Sequence, residues 1–250
     1  MADTGGPRVY AIGDIHGCLA ELDDMIARID ADLAAIPHPD ARLVFVGDYV
    51  DRGPDSRGVI ERLMALQAGP RNVTLLKGNH DERFATYLRD PQARTTSKYH
   101  WLSDPIGGGK TLASYGVTGA TPSDPVATHG AACAQVPAAH VAFLDALKLS
   151  HRIGDYLFVH AGIRPGVPLD AQDPQDLIWI REPFLSDPRD HGPVVVFGHS
   201  FMPQITHRGN WIGIDTGCVF EGVLSCLVLE GEGCWDLLPK GRAAVAVEPH

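Results

Sequence analysis

The chain has 250 residues, with 31 acidic against 21 basic side chains and a formal net charge of −10. That length suits one large domain, or one domain with a modest insertion, and can bury a sizeable core. The acidic balance and the lack of a Lys/Arg cluster exclude nucleic acid as a default partner, because phosphate backbones demand cationic clusters.

In chain order, residues 8–13 (RVYAIG) read as a short apolar strand ending in Gly-Asp. Leu19 to Leu33 carries apolar residues at helical spacing. Residues 42–47 (RLVFVG) form a second strand, near-continuously apolar as for a strand covered on both faces. A helix through Val59, Ile60, Leu63 and Leu66 follows, closed by Gly69-Pro70. Residues 72–77 (NVTLLK) make a third strand, and GNHDERFATYL begins another helix. This β-α-β-α-β-α run has the ~30-residue pitch of parallel α/β units.

Residues 91–135 are rich in Gly, Thr, Ser and Pro, with one helix expected near 108–115. They read as a cap-like insertion in a single domain spanning 1–250. A helix near 137–148 precedes YLFVHAG (156–162) and VVVFGHS (194–200), which again run apolar residues into Gly and His. The tail segments WIGIDTG, GVLSCLVLE and CWDLLP read as antiparallel strands, with a turn at Gly231–Gly233. No secretory signal and no run of ~20 apolar residues is visible, so no membrane partner is expected. The five cysteines are scattered without a CxxC pair, which fits reduced thiols in a cytoplasm.

Five predicted strands therefore end in polar clusters: GDIHG (13–17), GDYVDRG (47–53), GNHD (78–81), HAG (160–162) and GHS (198–200). Carboxyl ends of parallel strands share one edge, where ligands bind. Asp, Asn and His donors without Cys suit hard or borderline divalent metals such as Mn, Fe or Zn. So many donors exceed the needs of one metal. Two metals ~3.5–4 Å apart, bridged by a carboxylate, would use them all and clamp an in-line phosphoryl transfer.

GDxHG, GDxVDRG and GNH[ED], in this order and spacing, resemble the phosphoprotein phosphatase branch of the calcineurin-like metallophosphoesterases, the phage lambda phosphatase-like bacterial enzymes in particular. That resemblance implies an α/β fold, a β-sandwich of two mixed sheets flanked by helices. It implies two divalent metal ions, manganese first, with Asp14 and His16 on one, Asp48 bridging, and Asn79, His160 and His199 on the other. It further implies hydrolysis by a hydroxide bridging the metals, with His80 as general acid, Asp51 orienting it, and Arg52 and Arg181 gripping phosphate. The substrate it implies is a phosphorylated protein, as for a serine/threonine phosphatase or one of broad specificity, or a small phosphoester.

GNHD in place of GNHE, HAGI and DTGC are similar instead to the symmetrical diadenosine tetraphosphatases, so a nucleotide hydrolase stands as the alternative. Those enzymes generally lack the aspartate of VDRG, which this chain keeps as Asp51. A catalytically inactive phospho-binding scaffold is a remote third reading, opposed by the complete ligand set. GGGKT (107–111) is no phosphate-binding loop: Asp104 occupies the place of its first Gly, and no apolar strand leads in. The run from Trp101 to the three glycines instead resembles a segment near the active site of lambda phosphatase, so Trp101 is expected to edge the pocket.

Overall fold

A computed structural model describes residues 2–93 and 98–249; Met1, His250 and the stretch 94–97 inside the expected insertion lie outside the described residues. The first half follows the sequence pattern: β1 (Arg8–Ile12), α1 (Leu19–Ala35), β2 (Ala41–Phe45), α2 (Ser56–Ala68), β3 (Asn72–Leu75) and α3 (Asn79–Arg89). Short helices α4 (Gly108–Ser114), α5 (His129–Gln135) and α6 (Ala138–Ala146) come next. The second half holds β4 (Ser150–Ile153), β5 (Tyr156–Val159), α7 (Pro174–Trp179), β6 (Val194–Phe197), β7 (Thr206–His207) and β8 (Trp211–Gly213). It closes with β9 (Cys226–Glu230), β10 (Gly233–Leu238) and β11 (Gly241–Ala244).

The strands divide into two mixed sheets, ordered β11-β10-β9-β1-β2-β3 and β4-β5-β6-β8-β7, as the expected fold class requires. In the first, β1, β2 and β3 run parallel while β9 returns antiparallel beside β1. In the second, β5, β6 and β8 run parallel between antiparallel edge strands. Glu230 faces Gly233 in the expected β9–β10 hairpin. The expectation for WIGIDTG holds on one edge and is corrected on the other: Ile212 pairs antiparallel with His207 of β7, while Trp211 pairs with Val195 of β6 in a parallel ladder, because the turn at 208–210 reverses the chain between β7 and β8.

Period-2 alternation decides which layer each strand residue serves. Val9 and Ala11 join Val44, Phe158, Val196 and Ile212 in the apolar layer between the sheets. Tyr10 and Ile12 face the other way, onto Leu22, Ile26 and Ile29 of α1 and Ile60 and Leu63 of α2. Each such Leu or Ile, fully buried, contributes roughly 1.5–3 kcal/mol of transfer free energy. A third apolar cluster, including Val159, Phe197 and Leu177, covers the second sheet's other face. Segment 98–135 is not detached from this scheme. Its Trp101, Leu102, Leu112 and Tyr115 enter the same core as α1 and α2.

Candidate active site

Both sheets aim the carboxyl ends of β1, β2, β3, β5 and β6 at one place, so residues far apart in sequence become neighbours. Their backbone is unusual there. Among the described residues, six non-glycines have φ in the left-handed region, and five of them are His16, Asp48, Asp51, Arg52 and His199. Such conformations are uncommon for non-glycine residues and persist only where the surroundings enforce them.

Asp48 stands at the centre, fully buried. His16 Nε2 lies 3.6 Å from its Oδ2 and His160 Nε2 lies 3.4 Å from its Oδ1. His16, Asp48 and His80 offer one set of mutually close ligand atoms, and Asp48, His160 and His199 offer a second. Asp48 is common to both. His16 Nδ1 contacts the Val50 carbonyl at 2.8 Å and His160 Nδ1 the Val46 carbonyl at 2.9 Å, which fixes each ring and turns its Nε2 inward. Asn79 Oδ1 sits 3.0 Å from His160 Nε2.

Asp14, expected beside His16, lies against the turn after β6, where the His199 N–H donates to its Oδ2 at 3.0 Å. The structure thus brings all six expected ligands together but groups His80, rather than Asp14, most closely with His16. Gly78 permits the approach of Asp48: a β-carbon at Gly78 would coincide with the Asp48 carboxylate.

His80 Nδ1 lies 2.6 Å from Asp51 Oδ2, as expected of an oriented histidine. Asp51 in turn accepts from Trp101 Nε1 at 2.8 Å and from Thr111 Oγ1 at 2.6 Å. Trp101 is therefore not merely an edge of the pocket, as the sequence led one to expect; it braces the histidine's partner. Arg52 Nη1 is 2.6 Å from His16 Nε2, and Arg181 Nη2 donates to the His199 carbonyl at 3.0 Å. Both arginines flank the acidic centre.

The electrostatics are those of a cation site. Burial, then Asp215 and Asp48, push the Asp14 carboxyl well above its ordinary range. Asp81 rises to about 7 through burial and the nearby Asp48. Burial works the same way on Asp48, but His160, His80 and His16 outweigh it and hold that carboxyl well down. Burial lowers His16 and His199 well below the usual imidazole value, leaving neutral rings of the kind that bind metals.

Residues 7–221 match the profile of the calcineurin-like phosphoesterases. The chain belongs to that family. Like other members it is a metal-dependent phosphoester hydrolase. A symmetrical bis(5'-nucleosyl)-tetraphosphatase of Janthinobacterium sp. (strain Marseille) is 31% identical to it, over 88% of this chain and 92% of that protein. An asymmetrical bis(5'-nucleosyl)-tetraphosphatase of Halalkalibacterium halodurans is 30% identical, over 86% and 87% respectively. A solved structure described provisionally as a diadenosine tetraphosphatase superposes with a TM-score of 0.62 at 23% identity, covering 98% of this chain and 96% of that one, which shows the shared fold. The calcineurin-like superfamily is as expected, whereas membership of its phosphoprotein phosphatase branch is not shown. Neither relative bears the name of a serine/threonine phosphatase.

The residues present fit divalent cations. Asp14 Oδ1 and His199 Nε2 are buried acceptor-type atoms without a hydrogen-bond partner. Unpaired buried polar atoms are costly, and coordination would satisfy both. No cysteine belongs to either ligand set.

Some participants escape sequence reasoning. Asp81 accepts from the backbone N–H groups of Asp48, Tyr49 and Gly78, each at 2.9 Å, and so fixes the strained Gly47-Asp48-Tyr49 turn. The sequence showed it as the last residue of GNHD and as an acid at the third position of a helix capped at Gly78, but not that it holds this turn. Asp215 ends the apolar run WIGID, the same grammar as the other five strand ends, and lies close enough to Asp14 to raise its pKa. Thr111 sat inside the GGGKT run.

Proposed function

We propose that this phosphoesterase hydrolyses dinucleoside polyphosphates of the bis(5'-nucleosyl)-tetraphosphate type. The observation that carries the reading is the alignment of two differently named tetraphosphatases over nearly the whole chain, at 31% and 30% identity. It replaces the serine/threonine phosphatase as first reading. That reading rested on retention of Asp51 and on lambda-like motifs.

In this proposal Asp14, His16, Asp48, Asn79, His160 and His199 hold two divalent cations within one domain capped by segment 91–135. Such cations, when bound, supply Lewis acidity to the phosphoryl oxygens and lower the pKa of the attacking water. Arg52 and Arg181 hold non-bridging oxygens through their planar forks. Water attacks one phosphorus in line, the bridging P–O bond breaks, and the departing nucleotide leaves on its terminal oxygen. His80, held through Nδ1 by Asp51, presents Nε2 to protonate that oxygen.

The His80–Asp51 pair favours a second reading. An acid so carefully braced suits alkyl phosphates, whose alkoxide must be protonated as it leaves. One assay separates the two: metal-loaded protein is given diadenosine tetraphosphate and a phosphoserine peptide side by side, with products resolved by chromatography. We expect a kcat/KM at least ~10-fold higher for the dinucleotide, a ~1.4 kcal/mol preference in transition-state binding. Preference for the phosphopeptide would restore the phosphomonoesterase. Failure on both would overturn both readings and leave a phosphoesterase of another substrate class.

A further inference from the structure

Three large apolar side chains on the loops that follow His199 and Asp215 are exposed: Phe220 at 65%, Phe201 at 63% and Val223 at 63%. Phe201 lies two residues beyond His199, and its ring packs on the bare α-carbon of Gly217, which leaves no room for a β-carbon there. Phe220 and Val223 belong to the loop after Asp215. That loop is pinned: the Phe220 N–H donates to the Gly217 carbonyl at 2.8 Å, the Gly222 N–H to the same carbonyl at 3.1 Å, and Thr216 Oγ1 to the Val223 carbonyl at 2.6 Å. The Met202 N–H joins the two loops by donating to the Asp215 carbonyl at 2.8 Å. Glu221, next to Phe220, is the sixth non-glycine residue with positive φ, at 64°. A braced, strained turn that holds an aromatic ring in water calls for a ligand.

The Arg52 guanidinium supplies the chemistry of that ligand. It lies 5.2 Å from the Phe220 ring centroid while its Nη1 reaches His16. One face of the ring is thus tied to the phosphate-gripping arginine, and the ring remains mostly open to an aromatic partner. We propose that Phe220, flanked by Phe201 and Val223, is a stacking platform for a nucleobase of the substrate. This rests on the proposed dinucleoside polyphosphate reading and names the residue that recognises the base. Stacked rings lie ~4.5–7 Å apart, so the partner ring stands a further layer away from the arginine. A ring bonded directly to a phosphate oxygen, as in phosphotyrosine, is short for that span. A base separated from its phosphate by a ribose reaches it.

The test isolates the base. Calorimetric titration compares AMP with ribose 5-phosphate, which share phosphate and sugar, on the metal-loaded protein and on F220A and F220W. Base–aromatic stacking predicts AMP binding roughly tenfold tighter than ribose 5-phosphate to the native protein. The ratio should fall to about one in F220A, persist in F220W, and leave ribose 5-phosphate affinity unchanged throughout. Because Phe220 is exposed, both variants should melt as the native protein does. An equal affinity for the two ligands in the native protein, or a ratio unmoved in F220A, overturns the platform. Hydrolysis of diadenosine tetraphosphate is scored separately: a protein with the stacking ratio but no such hydrolysis refutes the proposed function alone, and one that hydrolyses it with F220A unaffected refutes the platform alone.

Discussion

Asp51 holds three side chains, His80, Trp101 and Thr111, at once while fully buried. Its conformation, φ 74°, is costly for a non-glycine residue and is kept by its own N–H donating to Thr111 Oγ1 at 2.9 Å and Ser56 Oγ at 3.1 Å. Trp101 therefore acts on the chemistry through Asp51, as a positioning residue. Trp101→Phe keeps a ring stacked on Phe84, whose centroid lies 5.3 Å away, and deletes only the N–H donor. General acid catalysis is worth ~10²–10⁴-fold, and a loosened acid forfeits part of it. We expect hydrolysis of a phosphoserine peptide to fall about tenfold, with that of diadenosine tetraphosphate, whose departing nucleotide is a better leaving group than an alkoxide, nearly unaffected. Equal losses on both substrates would confine Trp101 to a role in the fold.

At the scale of the element, α4 is where the glycine-rich segment meets the site. Gly107 has φ 89°, and a β-carbon there would collide with the backbone of Arg52. Gly109, two residues on, faces only the Ala120 carbonyl, 3.9 Å from where its β-carbon would stand. The two glycines thus make opposite predictions. Gly107→Ala should cost ~1–3 kcal/mol of stability and raise KM for the dinucleotide by displacing Arg52. Gly109→Ala, in the first turn of the helix, should gain a few tenths of a kcal/mol, less than the ~1 kcal/mol of a helix interior, with kinetics unchanged. Melting curves and KM for the pair decide this, and similar behaviour of both would detach α4 from Arg52. Trp101 and Thr111, by bracing Asp51, also bind this segment to the chemistry more closely than an insertion concerned with substrate choice would require.

For the whole molecule, the sequence exposed the parts whose physics is local. Apolar runs ending in Gly-Asp, His-Ala-Gly or Gly-His marked β1, β2, β5 and β6, and helical spacing marked α1 and α2, since these patterns depend only on the nearest neighbours. The two-sheet division came from resemblance, because β4, β7 and β8 are short and their pairing is set by partners far along the chain. The six ligand candidates were legible as residue types. That Asp14 leans on the turn at His199, and that Asp81 and Asp215 share the acidic centre, depends on tertiary approach. The same long-range logic closes the molecule's outer edge. Asp32 of α1 accepts from Tyr10 Oη of β1 at 2.5 Å and from Arg242 of β11 at 2.8 and 2.6 Å, while Arg8 of β1 donates to Glu230 of β9 at 2.8 and 3.1 Å. Burial alone would raise the Asp32 carboxyl, but Arg242 and Tyr10 outweigh it and hold it low; Arg8 foremost, then Arg242, hold Glu230 low. Carboxyls depressed in the folded state stabilise it above their ordinary pKa, about 4, and lose that contribution as pH falls through the lower folded values. Arg242→Met should therefore lower Tm at neutral pH by a few degrees, and the gap from the native protein should narrow steadily below about pH 4. Thermal melts of both proteins from neutral to acid pH test this, and a gap that stays constant to the lowest pH would show that packing by the Arg242 stem, not its charge, ties β11 to α1.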